Sequence, residues 1–274
     1  MHRPSYARVF LTFARNSLVR DMTFRSNFLI EMVTSMTWML MNLGFYVLIF
    51  TYTDSIGAGT GWGQYQFFLF IATTMMINSL VQTFFMPNAE EFSELIRTGA
   101  LDFALLKPID TQFLISLQRV NWSSLGNFAL ALLLMGYSFT KLDYFPSAVQ
   151  ILLYIPYVLC GVTILYSLMI TLAATSIWLG RNQSLYDFWF YITNFSRYPM
   201  EIYSGPFGTP LRLFFTFIIP VLVVVNVPAR LLAMPLEAQN WWLAGFALAA
   251  TALCLFASRR IFQSALGAYR SASS

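Results

Sequence analysis

Charge is scarce in this sequence. Asp, Glu, Lys and Arg make up 10% of the 274 residues, whereas hydrophobic residues make up 58%. A soluble domain carries about 25% charged residues, so this chain has too few charges to cover a water-facing surface at that density. Intrinsic disorder is excluded as well, because it needs low hydrophobicity and high charge. The composition predicts an all-α polytopic membrane protein, with residues 1–274 forming one transmembrane domain.

The residue types that build catalytic and metal sites are scarce too. His2 is the only histidine, which excludes multi-histidine metal sites and histidine relays within the chain. Cys160 and Cys254 lie in separate apolar runs, and we interpret both as space-filling thiols. Neither Lys107 nor Lys141 follows the glycine pattern of an ATP-binding P-loop. We therefore expect no cofactor, metal site, enzymatic activity or nucleic-acid partner for this chain.

Long uncharged stretches locate the candidate membrane spans. At about 1.5 Å per residue, roughly 20 helical residues cross the hydrocarbon core of a bilayer. Stretches of this length or more occur at 32–53, 65–85, 120–140, 144–180 and 238–258. The fourth is longer than one crossing, so we predict a tilted helix that begins at Pro146 and bends at Pro156.

One further span lies within residues 182–236, where two apolar pieces compete. The pieces are 185–198 and 211–227, and a segment rich in Pro and Gly separates them. Hydropathy alone favours 211–227 as the crossing. In the alternative, 185–198 crosses, and the second piece enters the membrane and returns on the same side. Such irregular backbone needs shielding by protein or a wet cavity. Both alternatives give six spans.

The placement of Arg and Lys predicts the orientation. An even number of spans puts both termini on one side of the membrane. The cations on that side are Arg3, Arg8, Arg15, Arg20, Arg25, Arg97, Lys107, Arg119, Arg181, Arg259, Arg260 and Arg270. The opposite short loops hold Lys141 only, beside Asp54 and Asp143. The positive-inside rule therefore places both termini in the cytoplasm.

Residues 1–26 precede the first span and are predicted to form an interfacial helix. One side of this helix would carry Tyr6, Phe10, Phe13 and Ser17, and another would carry Arg8 and Arg15. An amphipathic helix with Arg on its polar side is expected to lie along the cytoplasmic leaflet. The alternative is an extended leader of the first span.

Residues 88–112, called the polar segment below, contain a quarter of all charged residues. These are Glu90, Glu91, Glu94, Arg97, Asp102, Lys107 and Asp110. Glu90, Glu94 and Arg97 lie at helical spacing with Phe92 on the other side, which predicts a short amphipathic helix that ends at Gly99. The segment is either a solvated loop or a docking element whose apolar side inserts into a groove of a cytoplasmic partner.

Two blocks of the sequence resemble type-two ABC exporter permeases. The first runs from Ile96 to Pro108 and reads IRTGALDFALLKP; in that family it borders the coupling helix that contacts the ATPase. The second comprises Pro199 to Tyr203, Ile219-Pro220 and Val227 to Arg230, which in the family belong to outer re-entrant helices before the sixth span. Where the family typically continues with Phe-Phe-Pro after the Glu of this block, the chain has Ile202-Tyr203-Ser204-Gly205-Pro206.

This resemblance implies a permease subunit of an ATP-driven exporter in a bacterial cytoplasmic (inner) membrane. It favours a crossing at 185–198 and an outer re-entrant hairpin at 206–236. A cytoplasmic ABC ATPase dimer would bind ATP and Mg, and a second permease chain, identical or not, would complete the pathway across the lipid bilayer. The residues expected to couple to the ATPase are Glu90, Glu91, Glu94, Arg97, Asp102 and Lys107.

Polar and aromatic side chains inside the spans are candidates for the substrate pathway. They are Trp38, Asn42, Asn78, Gln82, Asn121 and Trp122. Amides in lipid need partners, so hydrogen bonds between helices are the alternative role.

Two other functions compete with ATP-driven transport. A secondary transporter usually carries carboxylates inside its spans, and the middle parts of the predicted spans have no Asp or Glu. A non-transporting membrane assembly subunit remains an alternative, because the polar segment is compatible with it.

Overall fold

The computed structural model describes residues 5–57, 60–142, 144–179 and 190–269. Helices dominate these ranges, and one isolated bridge joins Ser55 to Gly63. The helices are α1 (Tyr6–Thr23), α2 (Arg25–Phe50), α3 (Gln64–Phe84), α4 (Met86–Arg97), α5 (Leu101–Leu105), α6 (Thr111–Leu117), α7 (Leu125–Lys141), α8 (Ala148–Ala174), α9 (Ser176–Leu179), α10 (Gly205–Leu213), α11 (Val221–Ala233) and α12 (Trp241–Ala268). The all-α prediction is confirmed.

Several of these helices are long and apolar enough to cross a membrane. Within the described ranges they are Arg25–Phe50, Gln64–Arg97, Ala148–Trp178 and Trp241–Ala268. A further candidate is the pair Gly205–Ile218 and Val221–Ala233, if this bent pair counts as one span. The shorter α7, with 17 residues, covers the predicted third span. Residues 190–194 are helical, whereas 180–189, which hold the start of the predicted 185–198 crossing, lie outside the described residues.

The centre of the bundle is formed by α3 and α8. Helix α3 packs against α7, α8 and α11, and α8 packs against α11 and α12. Helix α11 is buried along almost its whole length. In contrast, α2 has no fully buried residue. Its apolar surface is therefore open to lipid or to another chain, which suits the edge of a membrane bundle.

Helix α8 fixes the direction of α11. Its first turn carries a capping box of Ser147 and Gln150. The Gln150 Nε2 also donates hydrogen bonds to the carbonyls of Leu231 and Met234, at 2.7 and 2.9 Å. Eleven residues further along α8, about 16 Å, Gly161 lies against Val224. Helix α11 is therefore antiparallel to α8, and its first residues lie near the middle of α8.

The close approach of α8 and α11 leaves no room for a side chain at position 161, which is why this residue is glycine. A Cβ atom there would lie 2.7 Å from the Val224 carbonyl oxygen. We predict that Gly161→Ala lowers the free energy of unfolding by about 1–3 kcal/mol, because α8 and α11 must separate. The measurement is equilibrium unfolding in mixed SDS and maltoside micelles. The control is Gly245→Ala in α12, where an added Cβ meets no atom within 4 Å; equal destabilisation by both changes would contradict the packing argument.

The bent pair of α10 and α11 begins and ends at the same end of the bundle. Helix α10 continues as a π-helical stretch over Phe214–Ile218, and the chain turns by 90° before α11. Glu201, just before α10, forms an ion pair with Arg230, near the end of α11. The Trp62 Nε1 donates a 3.1 Å hydrogen bond to the same carboxylate. We call this the Trp62 end, and the opposite end, where Arg259 lies, the Arg259 end.

The predicted interfacial helix is present as α1, and its Tyr6 side packs on the protein. Tyr6 makes an edge contact with Phe113, with ring centroids 4.8 Å apart. The Ser17 hydroxyl accepts a 3.0 Å hydrogen bond from the Val120 N–H. Leu11, on another side, is exposed. This side of α1 therefore contacts α6 and Val120, although Tyr6 itself is 48% exposed, and the position of α1 on the bilayer stays a prediction.

Candidate functional site

Three short helices carry the polar segment at the Arg259 end. Helix α4 ends at Arg97, and Gly99 reverses the chain with a φ of 72°, a value that favours glycine. Helix α5 follows. The Asp110 carboxylate then caps α6 by accepting a 2.9 Å hydrogen bond from the Phe113 N–H. The amphipathic helix expected in this segment corresponds to α4.

The apolar side of α4 packs inside the chain. Phe92 is fully buried, and its ring lies 5.8 Å from that of Phe262 on α12. Leu101 on α5 is fully buried in the same cluster. The predicted insertion of Phe92 into a groove of a partner is therefore wrong, because α12 of the same chain already covers this side of α4.

Three large apolar side chains of the polar segment are exposed, and two of them, Phe103 and Leu106, are far more exposed than Leu105. Phe103 is 72% exposed and Leu106 is 81% exposed. They are three residues apart, so they share one side of α5 and of the turn after it. An exposed apolar pair on a segment outside the spans is typical of a protein-binding surface. We call Phe103 and Leu106 the apolar pair.

The exposed charges around the apolar pair are available to a partner. Glu90 and Lys107 are exposed. Glu94 and Arg97 form an exposed ion pair, with 2.8 Å between the Arg97 Nε and the Glu94 Oε2. The Arg97 guanidinium holds the pKa of the Glu94 carboxyl below its usual value. Because water screens this pair, it contributes little to folding and leaves both charges free to contact another protein.

The other two predicted coupling residues interact within the chain. Glu91 forms an ion pair with Arg119, just after α6. Burial, and then the nearby Asp102 carboxylate, raise the pKa of Tyr269 at the end of α12. The ion pair of Glu91 with Arg119 therefore holds α4 against the segment that follows α6. Among the residues that the structure describes, no group of three His, Cys, Asp or Glu side chains is placed to hold a metal ion.

Asp110 fastens the polar segment to α12. The Arg259 guanidinium forms an ion pair with this carboxylate and donates a 2.9 Å hydrogen bond to the Gln112 Oε1. Burial alone would raise the pKa of Asp110, but hydrogen bonds from Arg259 and from the Phe113 N–H outweigh it and lower the pKa. The carboxylate is therefore charged at neutral pH, and the ion pair is maintained.

A second connection runs from the polar segment to α8. The Gln112 Nε2 donates a 3.0 Å hydrogen bond to the Tyr166 hydroxyl, which lies 2.9 Å from the Ser116 Oγ. Gln112 thus contacts both Arg259 and Tyr166. The polar segment is therefore joined to α8 as well as to α12.

The predicted pathway residues fall into two groups that the structure does not bring together into one site. Asn78 is half-buried and Gln82 is exposed, on the side of α3 that its neighbours leave uncovered. Trp38 is 65% exposed on α2, where its carbonyl accepts a 2.9 Å hydrogen bond from the Asn42 Nδ2. None of these four side chains is fully buried by the described residues, and Trp38 and Gln82 are exposed.

The remaining two predicted pathway residues make contacts within the chain. The Asn121 Oδ1 accepts a hydrogen bond from the Ser123 N–H at 3.0 Å, which caps a short 3-10 turn before α7. The Trp122 Nε1 donates a 3.1 Å hydrogen bond to the Ala14 carbonyl of α1. The Trp122 contact joins α1 to the turn before α7, which agrees with the alternative role of a hydrogen bond between helices, whereas the Asn121 contact stays within that turn.

A family model described as ABC-2 family transporter protein matches residues 36–273. The chain belongs to this family. Comparison with curated proteins and with solved structures finds no match. The ABC-2 membrane family consists of transport permeases, so the resemblance found in the two sequence blocks is confirmed, and the chain is a multi-pass membrane protein of the ABC transporter class.

Sequence patterns did not predict the residues of this ABC-2 chain that form ion pairs between distant segments. Asp110 was assigned only to the polar segment, although an Asp directly before an apolar helix is a usual cap signal. Its pairing with Arg259 joins positions 149 residues apart, and no local pattern indicates it. The pair of Glu201 and Arg230 is similar: both residues lie in the block that resembles the family, but only the folded chain shows that they meet.

Proposed function

We propose that this ABC-2 chain is the permease subunit of an ATP-driven exporter and forms half of the substrate pathway. A separate ABC ATPase dimer would bind ATP and Mg in the cytoplasm. The observation that carries this proposal is the apolar pair, Phe103 and Leu106, exposed on a segment that is joined to α8 and α12. A surface that binds the ATPase and is fastened to long apolar helices is what coupling requires.

The proposed topology has six spans with both termini in the cytoplasm of a bacterium. Five spans are α2, α3, α7, α8 and α12, and the remaining one is the predicted crossing at 185–198, of which residues 190–194 are helical. The bent pair of α10 and α11 is the outer re-entrant hairpin. Its two ends meet through Glu201 and Arg230, and α11 starts only near the middle of α8, which supports a return to the same side.

Coupling would proceed from the ATPase to the polar segment and from there to two spans. ATP-driven closure of the ATPase dimer pushes on the apolar pair. The push reaches α12 through Asp110 and Arg259 and through the ring contact of Phe92 with Phe262, and it reaches α8 through Tyr166. Inward-open and outward-open states are thereby biased by the nucleotide state of the partner.

A second permease chain would complete the pathway. Helix α2 has no fully buried residue, and the uncovered side of α3 carries Asn78 and Gln82. Exposed amides in lipid are unfavourable, so a facing chain that offers hydrogen bonds stabilises them. We propose that Trp38, Asn42, Asn78 and Gln82 line the space between the two permease chains.

Arg259→Gln tests this route of coupling. The change removes the ion pair with Asp110 while the apolar pair stays exposed, so the ATPase should still bind. The measured quantity is the increase in ATP hydrolysis that the permease causes when it joins the ATPase in proteoliposomes. We expect this increase to fall about tenfold, a change within the usual range of coupling between two sites. The control is Arg260→Gln, because Arg260 stacks on the Phe256 ring, 4.8 Å from its centroid, away from the polar segment. Full stimulation in the Arg259 variant would refute the route.

A further inference from the structure

A cavity of about 280 Å³ opens at the Trp62 end between the bent pair and α12. The residues that line it and enter the argument are Glu201, Arg212, Thr216, Phe217, Arg230 and Trp242. Arg212 and Thr216 are four residues apart where α10 passes into the π-helical stretch, so both reach the same side. The 90° turn before α11 then brings Arg230 opposite them. The cavity thus exists only because the bent pair folds back on itself.

Three polar groups of this cavity have no partner among the described residues. The Arg212 guanidinium makes no ion pair or hydrogen bond there. Thr216 is 2% exposed, and its hydroxyl makes no hydrogen bond. The Arg230 Nε is buried and also unpaired, although the two terminal nitrogens of Arg230 bond to Glu201 and to the Ala238 carbonyl. Buried donors without partners are rare because each costs free energy. The convergence of two such donors, Thr216 and Arg230 Nε, with the half-buried Arg212 indicates a ligand with several acceptor atoms.

The charge of the cavity favours an anion. Two guanidinium groups and one carboxylate leave a net charge of one positive unit. The N-terminus of α12, a helix of 28 residues, also lines the cavity through Trp242 and adds a partial positive charge. The Glu201 carboxylate is already held by Arg230 and Trp62, so it opposes the anion less than a free carboxylate would. A ligand with a single negative charge would balance the site.

The wall of the cavity is aromatic and open. The rings of Phe217 and Trp242 stack with centroids 5.7 Å apart and planes 19° apart. Both remain partly exposed, at 43% and 58%. Stacked aromatic rings beside Trp241 are typical of the interface between lipid headgroups and acyl chains. A ligand here would place an anionic group on Arg212 and Thr216 and an apolar or glycerol part against the rings.

We propose that this cavity binds the singly charged phosphate of a phosphate diester. Its oxygens accept hydrogen bonds from the Arg212 guanidinium, the Thr216 hydroxyl and the Arg230 Nε, and a phosphate suits the fork of an arginine. The diester is either the headgroup of an anionic phospholipid or a soluble phosphate diester. The proposed function would place the Trp62 end, and with it this site, at the outer leaflet; the binding of a phosphate diester does not depend on that placement.

The experiment measures ligand binding to the full chain in detergent by native mass spectrometry. The probes are phosphatidylglycerol, diacylglycerol with the same acyl chains, and glycerophosphoglycerol, which is the headgroup without acyl chains. We expect phosphatidylglycerol to bind at least about tenfold more tightly than diacylglycerol, because only the former offers charge-assisted hydrogen bonds. Binding of glycerophosphoglycerol at comparable affinity identifies a soluble ligand, whereas its failure to bind identifies a lipid.

The variants assign the binding to this cavity. Arg212→Gln should weaken phosphatidylglycerol about tenfold or more, and Thr216→Val about threefold. Arg212→Lys should recover part of the affinity, because the charge is kept. The matched control is Arg197→Gln, which removes one exposed charge from a side chain that stacks on Phe190, 5.5 Å from its ring centroid.

Two results would overturn the proposal. One is equal affinity of wild type and the Arg212→Gln variant for phosphatidylglycerol. The other is equal binding of phosphatidylglycerol and diacylglycerol. The thermal midpoint of each variant shows whether a loss of binding reflects unfolding, and Thr216→Val gives a second, milder test. The binding assay contains no ATPase. Absence of binding would therefore not contradict the proposed transport function, and absence of coupling to the ATPase would not contradict the phosphate site.

Discussion

Phe103→Glu is expected to weaken the complex between the chain and the proposed ABC ATPase by at least about 30-fold, the effect of a loss of some 2 kcal/mol at an interface hot spot. Phe103 belongs to the apolar pair and is 72% exposed in the isolated chain. A carboxylate at this position would have to be desolvated against the partner. Because the side chain already faces solvent, the variant should fold normally.

The measurement is the affinity of the purified ATPase for the permease in detergent. Leu106→Glu should have a similar effect, because Leu106 shares the same exposed side. The matched control is Gln118→Glu, which adds the same charge at an exposed position after α6. If Phe103→Glu and Gln118→Glu weaken the complex equally, the apolar pair is not the docking surface, and general repulsion explains the result.

The second large effect is expected for Glu201→Gln, which should lower the free energy of unfolding by about 2–3 kcal/mol. Removal of one member of a buried ion pair leaves the other charge without its partner, at a typical cost of about 3–5 kcal/mol. The side chains of Glu201 and Arg230 are 22% and 19% exposed, so the expected effect is somewhat smaller than for full burial. In this variant the start of α10 and the end of α11 should no longer be held together.

The control for this prediction is Glu94→Gln in the polar segment. Its partner Arg97 is 66% exposed and Glu94 itself is 54% exposed, so water screens this pair and the loss should be much smaller than for Glu201→Gln. Equilibrium unfolding in mixed micelles gives both values. A Glu201→Gln variant as stable as the wild type would show that the bent pair is held by apolar packing of α11 alone.

The family and the helical architecture could be predicted from the sequence. Which side chains of the polar segment are buried and which are exposed could not. Helical spacing correctly placed Phe92 opposite Glu90 and Glu94. It could not show which apolar side chains would be covered, because the cover for Phe92 comes from Phe262, far along the chain. For the same reason the exposure of Phe103 and Leu106 became visible only in the folded chain.

The sequence by itself determined the class of this protein, because charge is scarce and the uncharged stretches are long enough for membrane-spanning helices, which satisfy their own backbone polar groups. It also determined the family, through blocks of contiguous residues. The tertiary structure alone decided the contacts between distant positions: Asp110 with Arg259, Glu201 with Arg230, and Gly161 with Val224. The physical reason is that composition and spacing act within one helix, whereas ion pairs, close crossings and shared cavities depend on how separate helices pack.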